Sequence, residues 1–102
     1  MILHLALFTW QPEVTADDVA GLTAALEEMA EKVPELAAYR CGENLRLRPG
    51  ADYAVAALVA DEAALAAYLD SEAHAEVYRL HLSRMIATRS AAQLPVPDTA
   101  TL

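Results

Sequence analysis

The hydrophobic pattern divides the chain into alternating strand-like and helix-like segments. Residues 2–10, ILHLALFTW, predict a strand that is apolar on both faces, because side chains alternate along a strand. One strongly polar side chain, His4, interrupts the even-numbered face. A chain of this length can cover one such face with its own helices. We therefore predict that a second copy of the protein covers the other face.

A helix is predicted to begin at Thr15. The segment Gln11-Pro12-Glu13 breaks strand pairing, and Asp18 lies three residues after Thr15 in a variant of the capping box. Apolar residues then recur at spacings of three and four and form one core-facing stripe: Val19, Leu22, Leu26, Met29 and Val33. Pro34 ends the helix.

The next segment predicts a β-hairpin. Residues 36–47 are interpreted as a second strand, with Gly42 as a bulge or close-approach point and with Arg46 and Arg48 on one face near its end. That arginine pair is typical of a solvated strand end, and it could also grip an anion. Residues 49–52 form a turn, and residues 53–60, YAVAALVA, form a third strand that is again apolar on both faces.

Two helices and a closing strand are predicted for the last part of the chain. Asp61 caps a short helix over residues 62–69, and Ser71 caps a longer one from Glu72 to about Ile86. The longer helix carries two neighbouring stripes. The first contains Ala73, Val77, Leu80 and Arg84, and the second contains His74, Tyr78, His81 and Met85. Residues 88–96 form the closing strand, which Pro95 and Pro97 terminate.

This order of elements predicts an α+β fold. The arrangement is ferredoxin-like (βαββαβ), with a four-stranded antiparallel sheet and helices on one face. Residues 1–97 form a single domain, and residues 98–102 form a flexible C-terminal tail. Two bare sheet faces meeting in a homodimer give a dimeric α/β barrel that can enclose a cavity.

Composition and charge limit the classes of partner that we expect this protein to bind. The 102 residues suit one domain, and 15 acidic against 7 basic residues give a net charge of −8, which repels nucleic acid. No apolar stretch approaches the roughly 20 residues that cross a bilayer, and the N-terminus lacks a basic region ahead of its apolar segment. We therefore expect a cytoplasmic protein with neither a membrane nor a nucleic-acid partner. Cys41 is the only cysteine, which excludes an intrachain disulfide.

Four segments together resemble one protein family. They are HLALFTW at the start, GEN at residues 42–44, DYAVAALV in the hairpin and YLDSEAH at residues 68–74. With these segments the chain resembles the stress-responsive α/β-barrel domain (Dabb) proteins. The resemblance runs through nearly the whole chain, and it implies a ferredoxin-like dimeric barrel. Most members of the family have no assigned activity, and therefore it implies the fold more strongly than a function.

One plant member of the family is a polyketide cyclase that uses cavity histidines and tyrosines in an aldol condensation. Similarity to it implies catalytic roles for His4, Tyr68 and His74, with the Tyr-to-His spacing of six residues kept. The family's HPAH segment is SEAH here, and therefore Ser71 and Glu72 replace its first histidine and its proline. A further cavity tyrosine of the cyclase falls at Leu26. These departures bear on the substrate more than on the fold.

The resemblance also implies where these side chains lie. His4, Tyr68 and His74 are expected to converge on one cavity between the sheet and the helical pair, with His74 as proton acceptor, Tyr68 as hydrogen-bond donor and His4 as a second donor. The family places Phe8 toward the barrel interior. We interpret four side chains as ligand-binding: Phe8, Trp10, Tyr78 and His81.

Competing interpretations remain open for the histidines. His4 on an apolar strand face suits a hydrogen-bonded core residue as well as a catalyst. A neutral His74 could accept a proton, but Glu72 and Glu76 favour its charged form. His74 and His81 lie about 10 Å apart along the helix, which is too far to chelate one metal alone, and no zinc spacing, phosphate loop or nucleophile elbow occurs. We predict no metal and no tightly bound cofactor.

Two classes of function follow. The first is an enzyme that uses acid/base chemistry on a small hydrophobic carbonyl or phenolic compound, of the polyketide cyclase (aldol) kind. The second is a non-catalytic, stress-responsive protein whose cavity binds the same kind of ligand. A cofactor-independent or heme-using monooxygenase of the same fold is a further alternative, suggested by the shared architecture and by Trp10.

Overall fold

The computed structural model describes all 102 residues, which form four strands and a set of helices. In chain order the elements are β1 (Ile2–Trp10), α1 (Ala16–Lys32), β2 (Leu36–Glu43), β3 (Tyr53–Val59), α2 (Glu62–Leu69), α3 (Glu72–Val77), a π-helical segment (Tyr78–Leu82), α4 (Ser83–Met85) and β4 (Ile86–Pro95). None of the helices is both long enough and apolar enough to span a bilayer.

The four strands form one antiparallel sheet in the order β2-β3-β1-β4. This is the ferredoxin-like order, and it confirms the predicted fold. The register places Ala57 of β3 and Gln93 of β4 on either side of His4, and Tyr53 and Arg89 on either side of Phe8. Side chains opposite each other across an antiparallel pair lie on the same face, and therefore Gln93 and Arg89 share the face of His4.

The core lies between the even-numbered face of β1 and the helices. Its fully buried side chains include Leu22 of α1, Tyr53 and Val59 of β3, and Met85 of α4. Helix α1 begins with the predicted capping box, in which the Thr15 hydroxyl accepts from the Asp18 amide at 3.1 Å and Asp18 accepts from the Thr15 amide at 2.9 Å. These bonds satisfy amides that have no partner within the helix.

The opposite side of the sheet, which we call the open face, has no helix against it. It carries the odd-numbered side chains of β1 and their neighbours across the sheet: Leu3, Leu5, Leu7, Ala54, Ala56, Leu58, Ala92 and Leu94. Leu7 and Leu94 are 44% and 46% exposed. The pattern of β1 predicted that the helices cover one face and leave the other bare, and the family resemblance placed Phe8 on the covered face.

Strand β2 is shorter than predicted and ends at Glu43 instead of Leu47. The Asn44 side-chain amide donates to the Ala51 carbonyl at 2.7 Å, and its oxygen accepts from the Arg46 amide at 2.9 Å. These bonds close a compact loop in which Arg46 has a φ of 59°. Arg46 then pairs with Asp52 at 2.9 Å. The prediction that Arg46 and Arg48 share a strand face was therefore wrong.

The two stripes predicted for the last helix were also wrong beyond Val77. A π-helical segment has more than 3.6 residues per turn, and the buried side chains run Val77, Leu82 and Met85 instead of following the α-helical spacing. Leu80, which was predicted to share a stripe with Val77, is 54% exposed, whereas Val77 is buried. The hydrophobic pattern could not reveal the wider π-helical turn, because pattern analysis assumes the same number of residues per turn along the whole helix.

The sheet irregularities lie elsewhere than expected. Gly42 pairs regularly with Ala54, and the β2 irregularity falls at Ala37, between residues 36 and 38. Strand β4 begins at Ile86, two residues earlier than predicted, because the chain enters the sheet directly from α4. A second irregularity, at Ala87, separates the pairs Thr9–Thr88 and Trp10–Ile86.

Candidate functional site

A cavity of about 490 Å³ lies between the helix-facing side of the sheet and the segment that runs from α2 to α4. Its walls are mostly apolar, with a few polar side chains among them. The lining residues are His4, Ala6, Phe8, Leu26, Tyr39, Val55, Tyr68, His74, Ala75, Tyr78, Leu82, Ile86 and Arg89. Apolar walls with a small number of polar groups are typical of sites for small organic molecules.

The break between α2 and α3 positions Tyr68 and His74. The Ser71 hydroxyl donates to the Tyr68 carbonyl at 2.8 Å and accepts from the His74 amide at 3.1 Å. One small side chain therefore ends the first helix and caps the second. As a result the Tyr68 and His74 rings meet edge to face, with centroids 5.3 Å apart. Ser71, which replaces a histidine of the family segment, is thus a structural part of this wall.

His4, on β1, lines the same part of the cavity as Tyr68 and His74. Its side chain is 2% exposed, and its ring meets the edge of Tyr68 at a centroid distance of 6.2 Å. Gln93 Nε2 lies 3.0 Å from His4 Nδ1. Because an amide nitrogen can only donate, Nδ1 accepts this bond and the proton of neutral His4 lies on Nε2. The tautomer gives His4 a donor on its other nitrogen. The structure thus brings His4, Tyr68 and His74 together.

Two phenols face each other deeper in the cavity. Tyr39 of β2 meets Tyr68 edge to face at 6.3 Å, and burial raises the pKa of both phenols. The Tyr39 hydroxyl is buried and makes no hydrogen bond to any protein atom. The neighbouring hydroxyl is that of Tyr68, and the proximity of the two hydroxyls contributes to the pKa shift of each phenol. Both phenols therefore remain protonated at neutral pH and can donate to a ligand.

The two imidazoles are neutral at neutral pH. Burial is the largest cause of the lowered pKa of His4 and of His74, and the nearby Arg89 guanidinium lowers the pKa of each further. Asp70 opposes this effect on the pKa of His74. The neutral His74 imidazole can accept a proton, whereas the free Nε2 of His4 carries one. The site therefore combines one base, one imidazole donor, two phenolic donors and one permanent cation.

Two of the residues interpreted as ligand-binding line the cavity and two do not. Phe8 and Tyr78 belong to its lining. Trp10 lies at the end of β1, after the irregularity in its pairing with β4. Its ring stacks on Phe8 with centroids 5.7 Å apart and also contacts Tyr53. The π-helical segment turns His81 toward α1, where its ring approaches Gly21. Neither Trp10 nor His81 contributes to the cavity.

Three polar residues of the site were not identified from the sequence. Arg89 and Gln93 belong to β4, and their positions follow from its register against β1. Tyr39 follows from the register of β2 against β3. Strand alternation, counted outward from His4 across the sheet, could have identified these residues. That count requires knowing which residues pair between strands that are far apart in sequence. The structure also contains no group of three His, Cys, Asp or Glu side chains that could hold a metal ion.

Comparisons with known proteins agree with this fold. The family model described as "Stress responsive A/B Barrel Domain" matches residues 2–94, which confirms the family resemblance. A dimeric ferredoxin-like protein of unknown function from Thermobifida fusca is 35% identical, with a TM-score of 0.86 over 93% of this chain and 90% of that one. The sequence matches no curated protein.

Two more distant structures have named activities. A hydroxynitrile lyase from Passiflora edulis is 11% identical, with a TM-score of 0.80 over 98% of this chain and 96% of that one. An antibiotic biosynthesis monooxygenase is 15% identical, with a TM-score of 0.72 over 95% of this chain and 99% of that one. At these identities the likeness concerns the fold alone.

Proposed function

Because the chain belongs to the stress-responsive A/B barrel domain family, we propose that it uses this fold to bind a small hydrophobic carbonyl or phenolic compound and to catalyse proton transfer next to its carbonyl group, without a bound cofactor. The family and the fold serve several chemistries, and therefore the proposal rests on the cavity residues. The observation that carries it is the joint placement of two neutral imidazoles and two protonated phenols around one apolar cavity.

The proposed step is enolisation. The His74 imidazole takes a proton from the carbon next to the carbonyl group, the C–H electron pair becomes part of a carbon–carbon double bond, and the carbonyl oxygen becomes an enolate oxygen. The Tyr68 hydroxyl donates to that oxygen, and His4 Nε2–H orients the substrate. The enolate can then attack a second carbonyl carbon, as in an aldol cyclisation, or regain a proton from the imidazole.

A simple ketone tests this chemistry without knowledge of the natural substrate. In D2O, the methyl protons of 2-acetonaphthone should exchange for deuterium faster with the protein than without it, as followed by NMR. The variants His74→Gln and Tyr68→Phe should each lower this acceleration by roughly 100-fold, the usual scale for losing a general base or an oxyanion donor. His81→Gln is the matched control and should leave the exchange rate unchanged.

The same assay separates the alternatives. Binding of 2-acetonaphthone without accelerated exchange would refute the enzyme and favour a non-catalytic ligand-binding protein. A heme or flavin absorbance band in the purified protein, with oxygen consumption, would favour the monooxygenase. Equal exchange rates in wild type and His74→Gln would remove His74 from the mechanism.

We also propose that the protein is a homodimer in which two open faces pack together. The apolar open face and the 35% identical dimeric protein support this assembly. Light scattering should give about twice the chain mass of 11.0 kDa. Leu5→Glu places a charge at the centre of the open face and should give a monomer, whereas His74→Gln should remain dimeric. A wild-type monomer at micromolar concentration would refute the dimer.

A further inference from the structure

Arg89 is the one permanently charged side chain at the cavity. It lies on the edge strand β4 opposite Phe8, on the face that the cavity occupies. Its guanidinium is close enough to His4, Tyr68 and His74 to lower the pKa of each of them. Arg89 is therefore directed toward the same space as the proposed reacting groups.

Arg89 lacks a partner within the protein. Three of the seven basic side chains form ion pairs: Arg46 with Asp52, Arg84 with Asp18 and Lys32 with Glu28. Arg89 is one of the four that form none, and it is the one of those four that lines the cavity. The sequence has 15 acidic residues for 7 basic ones, so carboxylates are abundant. No carboxylate lines the cavity, however, and Arg89 pairs with none elsewhere. The cavity is thus positive in a chain that is otherwise strongly negative.

A free guanidinium at the rim of an apolar cavity suits one class of ligand. Its planar donors match the two oxygens of a carboxylate, and the surrounding apolar walls strengthen the attraction by excluding water. The neighbouring imidazoles and phenols are neutral at neutral pH, and they leave the charge of Arg89 unbalanced. An anionic ligand would supply the missing negative charge.

We propose that the cavity selects small aromatic or conjugated carboxylates, with the carboxylate paired to Arg89 and the ring against Phe8, Leu26 and Leu82. The inference rests on the proposed function in using the same cavity, and it adds the charge of the substrate. In this arrangement Arg89 is a specificity-determining residue, while His74 and Tyr68 act at the carbonyl group.

A pair of ligands that differ in charge alone tests the inference. Binding of 2-naphthoate and of 2-naphthamide, which have the same ring and nearly the same size, is measured by calorimetry at fixed salt. Wild type should prefer the carboxylate by about tenfold, the lower end of the range for a charge-assisted pair, because Arg89 is on an exposed strand. Arg89→Gln should abolish the preference by weakening naphthoate binding about tenfold, with naphthamide binding unchanged.

Arg48→Gln is the matched control. It removes the same charge from the loop after β2, outside the cavity, and should keep the preference for naphthoate. Circular dichroism and naphthamide binding verify that Arg89→Gln is folded. An equal loss in Arg48→Gln would assign the preference to net charge and overturn the inference.

Other outcomes separate this inference from the proposed function. Equal binding of the two ligands by wild type, or an unchanged preference in Arg89→Gln, overturns the anionic substrate while the cavity and its proton transfer remain. Failure of wild type to bind naphthoate also overturns it. If Arg89→Gln slows deuterium exchange of 2-acetonaphthone without changing the naphthoate preference, Arg89 stabilises the enolate instead of selecting a carboxylate. Loss of exchange in wild type itself would refute the proposed function alone.

Discussion

Two buried tyrosines allow a direct test of whether the cavity is built for a ligand. The Tyr39 hydroxyl is buried without a hydrogen-bond partner, whereas the Tyr53 hydroxyl lies 2.7 Å from Thr23 Oγ1. Replacing either residue by phenylalanine removes the same single hydroxyl oxygen from a ring on the same sheet. The two substitutions should therefore change the free energy of unfolding in opposite directions.

The magnitudes follow from the two environments. A hydrogen bond of the Tyr53–Thr23 kind contributes about 1 kcal/mol, and Tyr53→Phe should destabilise the fold by that amount. A buried polar group without a partner costs about 1–3 kcal/mol, and Tyr39→Phe should recover about 1 kcal/mol, the low end, because its ring is only half-buried. For a domain of this size, 1 kcal/mol shifts Tm by roughly 4–8 °C.

Thermal and urea unfolding at one fixed protein concentration measure both variants, since assembly would make Tm depend on concentration. We expect Tm to rise in Tyr39→Phe, to fall in Tyr53→Phe, and the affinity for 2-naphthamide to fall in the first variant alone. Destabilisation of both variants by the same amount would show that the Tyr39 hydroxyl has a partner, either the Tyr68 hydroxyl or an ordered water. The reasoning that it awaits a ligand would then be wrong.

Two further predictions concern pH and helix capping. The pKa of His74 is lowered in the folded protein, which means that the unfolded chain binds a proton more readily below about pH 6.5. The contribution of His74 to stability should thus be complete above that pH and fall as the pH drops below it. Between pH 7.5 and pH 5, the Tm of His74→Gln should fall less than the Tm of wild type. Thr15→Ala removes the capping hydroxyl of α1 and should cost about 1 kcal/mol, measured by thermal unfolding at pH 7. A Tm unchanged within 1 °C would mean that Asp18 alone, through its bond to the Thr15 amide, supports this helix end.

The sequence predicted the fold well where one period governs a whole element. Strand β1 is apolar along nearly its whole length, and α1 has an unbroken apolar stripe with a capping box. Both elements were predicted correctly. Prediction was wrong where side chains or local geometry override the pattern. The Asn44 amide ends β2 early, and the π-helical segment changes the helical period after Val77.

The site was predictable in part for a similar reason. The family resemblance identified three of the site residues, because they lie in short continuous sequence segments that match the family: His4, Tyr68 and His74. Arg89 and Tyr39 belong to no motif, and they join the site only through strand register. Register depends on pairing between segments far apart in the chain, and a hydrophobic pattern alone leaves it undetermined.

Alternation along β4 links the proposed dimer to the proposed site. Arg89 and Gln93 point to the cavity, while Ala92 and Leu94 point to the open face, and every residue of the strand after Ile86 is exposed in the single chain. Strand β4 is an edge strand that pairs with β1 alone. A partner packed on Leu94 would therefore restrain the strand that positions Arg89 against the ligand and Gln93 against His4. The proposed chemistry and the proposed assembly use opposite faces of the same strands, and the edge strand is where one can influence the other.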